Sequence, residues 1–412
     1  MGENALAWEP AYARRAARMN GSEIRELLKL LDQPDIISFA GGIPDPALFP
    51  RDEAGNAYQA IMADPVRANS ALQYSTSEGY LPLRQWIAGY MTRMGATCDP
   101  DNIVITSGSQ QALDFLARLL LSPGDTALVD WPTYLGALQA FNAYEPRYDR
   151  LEFGATNRTP ESYAEAAAEA VEGGRVKFAY VVPDFANPTG RTLSEAERQS
   201  LLSLAGELDI PVIEDAAYAA LRYDGAPVPP VIALDAARTG HVDGARTIYC
   251  GTFSKTLTPG LRVGWICAAR PIVRRLVLIK QASDLNSPLL NQVVMHHLAE
   301  SVFDRQVAAS IACYRERRDR MRAALQRYMP DGVTWTDPEG GIFLWLTLPA
   351  SCDGAALLKA AIAKAKIAFV PGRAFFADGA GANTIRLSFS LAGPEKIDSG
   401  IARLAELIRN YS

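Results

Sequence analysis

Histidine is nearly missing from this chain, with three in 412 residues: His241, His296 and His297. The last two are adjacent within a helical pattern and so point to different faces. That leaves no histidine cluster for a metal and little for a hydrolase built on a histidine base. Cysteine is also sparse. The five (Cys98, Cys250, Cys267, Cys313, Cys352) are odd in number, scattered, and form no C-x-x-C. A disulfide framework or a zinc ribbon is thereby excluded, and a reducing compartment fits. There is no run of 18 apolar residues to span a bilayer. The basic N-terminal stretch is not followed by the apolar core of a signal peptide, and Leu6 breaks a myristoylation pattern, so the expected location is the cytoplasm. Excess charge is lacking too: 41 Lys and Arg stand against 46 Asp and Glu, for a net charge of -5, with no long basic run. Nucleic acid and anionic membrane are therefore not the expected partners. No internal repeat or low-complexity tract is present.

What remains is a globular composition, 49% hydrophobic and 21% charged, in a chain longer than one core usually serves. Residues 21–31 (GSEIRELLKLL) have an amphipathic pattern that predicts a helix capped by Ser22, with Arg25 off its apolar stripe. The segment 35–50 joins a short apolar run to Gly41 and Gly42, then Pro44 and Pro46, either a lead-in or the lip of a ligand site. Beyond it, apolar strands are expected near 103, 127, 179, 211 and 248, separated by helical patterns. Alternation of this kind argues a mostly parallel sheet with helices on both faces.

In such sheets ligands sit at the carboxyl ends of the strands, and the chemistry-bearing residues fall there. Strand 103–106 runs into Ser107-Gly108-Ser109-Gln110 and an amphipathic helix, a seat for an anion at a helix N-terminus. Tyr134 follows the second strand, and Asn187, in an Asn-Pro turn, follows the third. Asp215 ends the fourth, with Tyr218 just beyond. The fifth is the centre of the pattern, TIYCGTFSKTLTPGLRVGW from Thr247 to Trp265. Here Lys255 follows a buried strand, flanked by Thr252 and Ser254, with Arg262 after a Pro-Gly turn. A lysine shielded from water loses its proton more readily and becomes a nucleophile. Hydroxyls and an arginine beside it suit a phosphate-bearing aldehyde. A lone S-K pair is commonly a surface lysine in a loop; the gathering of groups along one sheet edge is what sets this one apart. From 289 to 328 the pattern becomes one long charged helix. Short alternating segments follow, and Arg386 sits in one of them, TIRLSFS, as a strong base in an apolar run suited to a carboxylate.

Together these parts form a complete set for pyridoxal 5'-phosphate, and the chain resembles the class I/II aminotransferases of the aspartate aminotransferase fold. The motifs that carry the resemblance are AGGIPDPALFP, LQYSTSEG, SGSQQALD, FANPTG, EDAAY, SKTLTPGLRVGW, VPGRAFF and TIRLSFS, spread over nearly the whole chain. The closest similarity is to the α-aminoadipate/kynurenine branch.

The resemblance implies an α/β fold of type I: a large domain with a mostly parallel seven-stranded sheet between helices (46–290), a smaller α+β domain after a connecting helix (291–412), and an N-terminal segment (1–45) that joins the small domain. Lys255 is then the amine that holds the cofactor aldehyde and shuttles the proton. Asp215 pairs with the pyridinium nitrogen, Asn187 and Tyr218 bind the ring oxygen, and Tyr134 stacks on the ring. Ser109, Gln110, Thr252, Ser254 and Arg262 take the phosphate, with Tyr74 arriving from the other subunit of a homodimer. Arg386 and Asn187 hold the substrate carboxylate, Gly42 lines the site, and Arg25 reads an acidic side chain. The expected reaction is ping-pong transfer of an amino group from a 2-aminoadipate- or glutamate-like, leucine-like or aromatic L-amino acid to a 2-oxo acid such as 2-oxoglutarate. Two alternatives keep the fold: a lyase, decarboxylase or γ-replacement enzyme, and the effector domain of a transcription regulator, against which no helix-turn-helix segment is seen. Asp184, in PDFA before Asn187, departs from the uncharged residue usual in the branch and would oppose a second acidic group on the substrate if it faced the site.

Overall fold

The structure is a computed structural model that describes residues 8–19, 21, 35–152 and 174–410. Of the N-terminal helix expected over 21–31, residues 22–31, with Arg25, lie outside the described residues. The strands are β1 (Ile37–Ser38), β2 (Ile103–Thr106), β3 (Thr126–Val129), β4 (Arg147–Arg150), β5 (Val176–Val181), β6 (Val212–Asp215), β7 (Thr247–Thr252), β8 (Gly264–Cys267), β9 (Thr334–Trp335), β10 (Phe343–Thr347), β11 (Ile367–Ala368), β12 (Val370–Pro371) and β13 (Thr384–Ser388). The five expected strands are all present, as β2, β3, β5, β6 and β7.

Seven of the strands make one sheet in the order β2-β8-β7-β6-β5-β3-β4. Every pair from β7 through β4 is parallel, whereas β8 runs antiparallel to both of its neighbours. Strands β2, β3, β5, β6 and β7 therefore end at the same edge, and β8 begins there. Two of the seven strands are absent from the sequence expectation. β4 reads RYDR and lies at the sheet edge, with Arg147 and Arg150 exposed, so it lacks the apolar run that marks an inner strand. β8 is four residues long and is recognised only by its ladder with β2 and β7. Its fit depends on glycine: a Cβ on Gly251 of β7 would lie 2.2 Å from the Trp265 ring on β8, so any side chain there would part the two strands.

Helices cover both faces. Those used below are α1 (Ser109–Leu120), α2 (Leu135–Asn142), α3 (Arg270–Gln281), α4 (Leu289–Tyr328) and α5 (Pro394–Arg409). α1 buries Ala112, Leu113, Phe115, Leu116 and Ala117, the i, i+3, i+4 face that a helix lays on a sheet. α4 matches the long charged stretch of the sequence residue for residue, and its second half packs against α5. The later chain forms a four-stranded sheet in the order β12-β13-β10-β9, and β1 pairs in parallel with β11. Segment 37–38 is thereby joined to the C-terminal part of the chain. The same pairing brings Gly42 back over the large sheet, where the site lies. Among the described residues no helix is long and apolar enough to cross a membrane.

Candidate active site

At the carboxyl edge of the large sheet is a cavity of about 460 Å³. Every described residue expected in the site lines it except Tyr74: Gly42, Ser109, Gln110, Tyr134, Asn187, Asp215, Tyr218, Thr252, Ser254, Lys255, Arg262 and Arg386 all do. The reversal of β8 explains how Arg262 joins them, because the amino end of that strand lies at the same edge as the carboxyl ends of the others. Tyr74 stands apart. It is 79% exposed and borders a separate groove with His296 and His297, so it does not reach this cavity within one protomer.

Lys255 is partly exposed to the cavity, and its Nζ donates to the Gly42 carbonyl at 2.8 Å. Burial lowers its pKa to about 8; the Arg386 and Arg262 charges push the same way, and Asp215 opposes them. Asp215 is buried at the end of β6. Its Oδ2 accepts a hydrogen bond from the Tyr180 hydroxyl at 2.9 Å, while its Oδ1 is buried without a hydrogen-bond partner among the described residues. Burial raises its pKa to about 6, against the Tyr180 hydroxyl, the Ala217 backbone N–H and the Lys255 charge, which favour the ionised form.

Arg386 is 1% exposed. Its guanidinium lies 4.2 Å from the centroid of the Phe343 ring and 5.1 Å from that of Phe375. One nitrogen donates to Asn187 Oδ1 and the other to the Ala40 carbonyl, both at 2.7 Å. Burial lowers its pKa to about 10, which still leaves it a cation at neutral pH. Asn187 also lies beside the Tyr218 phenol, whose pKa is raised chiefly by burial and lowered a little by the Asn187 amide. Tyr134 caps the start of α2, and a Cβ on Gly136 would meet its ring at 2.4 Å; the glycine gives that ring its place.

The anion seat is built from three segments. Gly108 has φ +81°, a left-handed turn that frees the N–H groups of the first turn of α1. Thr252 Oγ1 donates to Ser254 Oγ at 2.9 Å, which clusters two hydroxyls at the end of β7. Arg262 spans the gap, with Nη2 donating to the Ser107 carbonyl at 3.2 Å. A Cβ on Gly108 would lie 2.4 Å from that nitrogen, so glycine is required there for closeness as well as for φ.

Asp184 does not face the cavity. It is buried and accepts from Arg198 Nη2 at 2.8 Å and Arg222 Nη2 at 3.2 Å. The extra carboxylate is neutralised by two arginines and holds the turn that carries Asn187. Sequence reasoning missed Ile43, Val182 and Ala217 in the lining, and two residues that contact site side chains, Tyr180 and Phe343. Tyr180 sits within a buried apolar strand, where its hydroxyl was the available signal; Phe343 reads as an ordinary core residue of β10.

The profile of the family described as aminotransferase class I and II matches residues 51–404. An aromatic-amino-acid aminotransferase of Thermococcus litoralis is 43% identical over 407 residues, covering 98% of this chain and 95% of that one. The crystal structure of kynurenine aminotransferase from Pyrococcus horikoshii, with PMP, superposes with a TM-score of 0.87 at 42% identity over 98% of both chains. That of α-aminoadipate aminotransferase from Thermus thermophilus, complexed with N-(5'-phosphopyridoxyl)-L-leucine, gives 0.86 at 38% identity, covering 98% of this chain and 99% of the other.

Fold and site thus define a pyridoxal-phosphate enzyme of fold type I. The chain belongs to the class I and II aminotransferases, in the aminoadipate/kynurenine branch, and it is an aminotransferase. Its residues fit the cofactor: a buried carboxylate oxygen lacks a donor among the described residues, an amine of lowered pKa shares the cavity, and a helix N-terminus with hydroxyls and an arginine forms an anion seat.

Proposed function

We propose that this enzyme moves the amino group of an L-amino acid to a 2-oxo acid, 2-oxoglutarate in the simplest case, by two half-reactions at one site. The donor class we favour is the set of amino acids in which a 2-aminoadipate- or glutamate-like, leucine or aromatic side chain follows a common α-carboxylate. The observation that carries this reading is the convergence of Lys255, Asp215 and Arg386 on a single cavity.

In this reading Arg386, held between two aromatic rings, binds the α-carboxylate through a charge-assisted pair while Asn187 keeps its guanidinium in plane. That bond fixes the Cα hydrogen near Lys255. Lys255 Nζ removes the Cα proton as a neutral amine and later returns it within the same cavity. Pyridoxal phosphate, when bound, supplies the aldehyde that accepts the amino group and a ring that spreads the charge left at Cα. Asp215 would keep a proton on the ring nitrogen, Asn187 and Tyr218 would hold the ring oxygen, and Tyr134 would pack against the ring. Ser109, Gln110, Thr252, Ser254 and Arg262 seat the phosphate.

We further propose a cytoplasmic homodimer in which Tyr74 of each protomer completes the other's phosphate seat. In support, Tyr74 is exposed, and Val66, Leu72 and Leu81 are exposed close to it in sequence. We divide the chain into 1–45, 46–290 and 291–412, with α4 as the connector. The names of the relatives support aromatic and aminoadipate-like donors; Arg25 would read an acidic side chain.

The test is the absorbance of the purified holoenzyme on addition of single amino acids without any oxo acid. Bleaching to the pyridoxamine form, reversed by 2-oxoglutarate, is the expected result. Release of ammonia or carbon dioxide in its place would overturn the reading.

A further inference from the structure

Lys280, at the end of α3, is completely buried and lies outside the cavity just described. An ammonium withdrawn from water is costly unless every proton finds an acceptor, and an apolar residue of similar size would serve packing better. Its surroundings show what it holds. Nζ donates to both carboxylate oxygens of Asp284 at 3.0 Å, to Ser287 Oγ at 2.9 Å and to Gln111 Oε1 at 3.3 Å. Gln111 in turn donates through Nε2 to Asp284 Oδ2 at 2.8 Å.

Two members of this cluster reach one residue, Ser107. Gln111 Oε1 accepts from the Ser107 backbone N–H at 2.8 Å, and Ser287 Oγ lies 3.3 Å from Ser107 Oγ. The third polar group of Ser107, its carbonyl, takes Arg262 Nη2. Ser107 is thus held at all three of its polar atoms. It is the residue immediately before Gly108, where the chain turns into α1 and presents Ser109 and Gln110 to the cavity. A left-handed glycine imposes little preference of its own, so the direction of the first turn of α1 depends on how firmly Ser107 is anchored.

We propose that Lys280 is a positioning residue for the cofactor phosphate. With Asp284, Gln111 and Ser287 it locks Ser107, so that the N-terminus of α1 is aimed at the anion before the anion arrives. The inference rests on the reading of this turn as the phosphate seat. Preorganised donors bind more tightly than donors that must be ordered on binding. The contribution should therefore be confined to the phosphate and absent from the pyridine ring.

The experiment compares wild type with Lys280→Met, and with the milder Ser287→Ala and Gln111→Met. Cofactor is removed from each holoenzyme, and affinity is then titrated by absorbance with pyridoxal phosphate and, separately, with pyridoxal, which lacks the phosphate. Inorganic phosphate is added as a competitor. Wild type should favour pyridoxal phosphate strongly. Lys280→Met should lower that affinity about tenfold to a hundredfold, by analogy with the loss of an outer partner behind a metal ligand, with pyridoxal binding nearly unchanged and phosphate a weaker competitor. Ser287→Ala and Gln111→Met should move the same way by less, and they decide the matter if Lys280→Met does not fold. An unchanged ratio of the two affinities, or a parallel loss of both, overturns the role of Lys280. A wild type with no preference for the phosphate ester overturns the seat itself, and the inference with it.

Discussion

Tyr180→Phe removes one hydroxyl from the site and almost nothing else. The ring lies edge-on to Phe141 at 5.5 Å, and a phenylalanine ring keeps that contact. What is lost is the hydrogen bond to Asp215 Oδ2. Asp215 already has its pKa raised to about 6 by burial, and the Tyr180 bond is the first influence that holds it down. A hydrogen bond to a charged group is worth about 1.5–3 kcal/mol, and about 1.36 kcal/mol is one pKa unit. The sign follows from the acid: loss of a donor that favours the carboxylate raises the pKa further, by about 1–2 units. At pH 7 the ionised fraction in the cofactor-free protein would fall from about nine-tenths to about half or less. On the proposed assignment an ionised Asp215 is what keeps the ring nitrogen protonated. The acid limb of kcat/KM for the amino-acid half-reaction should then move up by about 1 unit or more, with little change at high pH. The assay is the rate of bleaching against pH. A cofactor analogue carrying carbon in place of the ring nitrogen serves as the control, since with no ring proton to hold it should not be weakened by the substitution. An acid limb that stays in place, or an equal effect on the analogue, would refute the reasoning.

Five further outcomes are expected. Lys255→Arg should abolish the bleaching. In the cofactor-free wild type, capture of pyridoxal phosphate should rise with pH and level off above about 8, because Lys255 becomes neutral there; an ordinary lysine would keep gaining to beyond 10. Arg386→Ala should reduce kcat/KM for amino acids by about 10²–10⁴, as for two charge-assisted bonds, while cofactor affinity by titration stays close to wild type. Asp184→Asn should destabilise the fold by about 3 kcal/mol in a denaturant titration, since it weakens the acceptor of two buried guanidiniums. The ratio of activity on acidic and apolar donors should hold; a gain for acidic donors would show that Asp184 faces the substrate after all. Gly108→Ala should weaken pyridoxal phosphate binding by forcing Arg262 away from the turn, with pyridoxal much less affected.

Much of this enzyme is legible without coordinates because a parallel sheet leaves a particular record. Its inner strands are continuous apolar runs, and each stops where a polar or small residue turns toward the ligand edge. Thr106, Asp215 and Thr252 are such stops, and the residues just beyond them (Ser109, Tyr218, Lys255) are those that line the cavity. The 40-residue helix from Leu289 to Tyr328 was equally plain, since no strand pattern interrupts it. By contrast the edge strand Arg147–Arg150 has no apolar run, and Gly264–Cys267 is not set off from the preceding strand by a helical pattern, so both follow only from their ladders.

The composition and the order of strand-end residues by themselves determined the class of chemistry: an amine, an acid, an anion seat and a buried cation, carried on one edge of an α/β sheet. Tertiary structure alone decided which polar atoms meet. It turned Asp184 away from the substrate and onto Arg198 and Arg222, gave Asp215 a hydroxyl from Tyr180 while leaving its other oxygen free of any described partner, and tied Lys280 to Ser107 through Gln111 and Ser287. The physical reason is the range of the two kinds of information. Apolar periodicity is written in consecutive residues, because burial acts on each strand or helix as a unit. A hydrogen bond is satisfied within about 3 Å, between groups that the register of the sheet and the packing of helices bring together from anywhere in the chain.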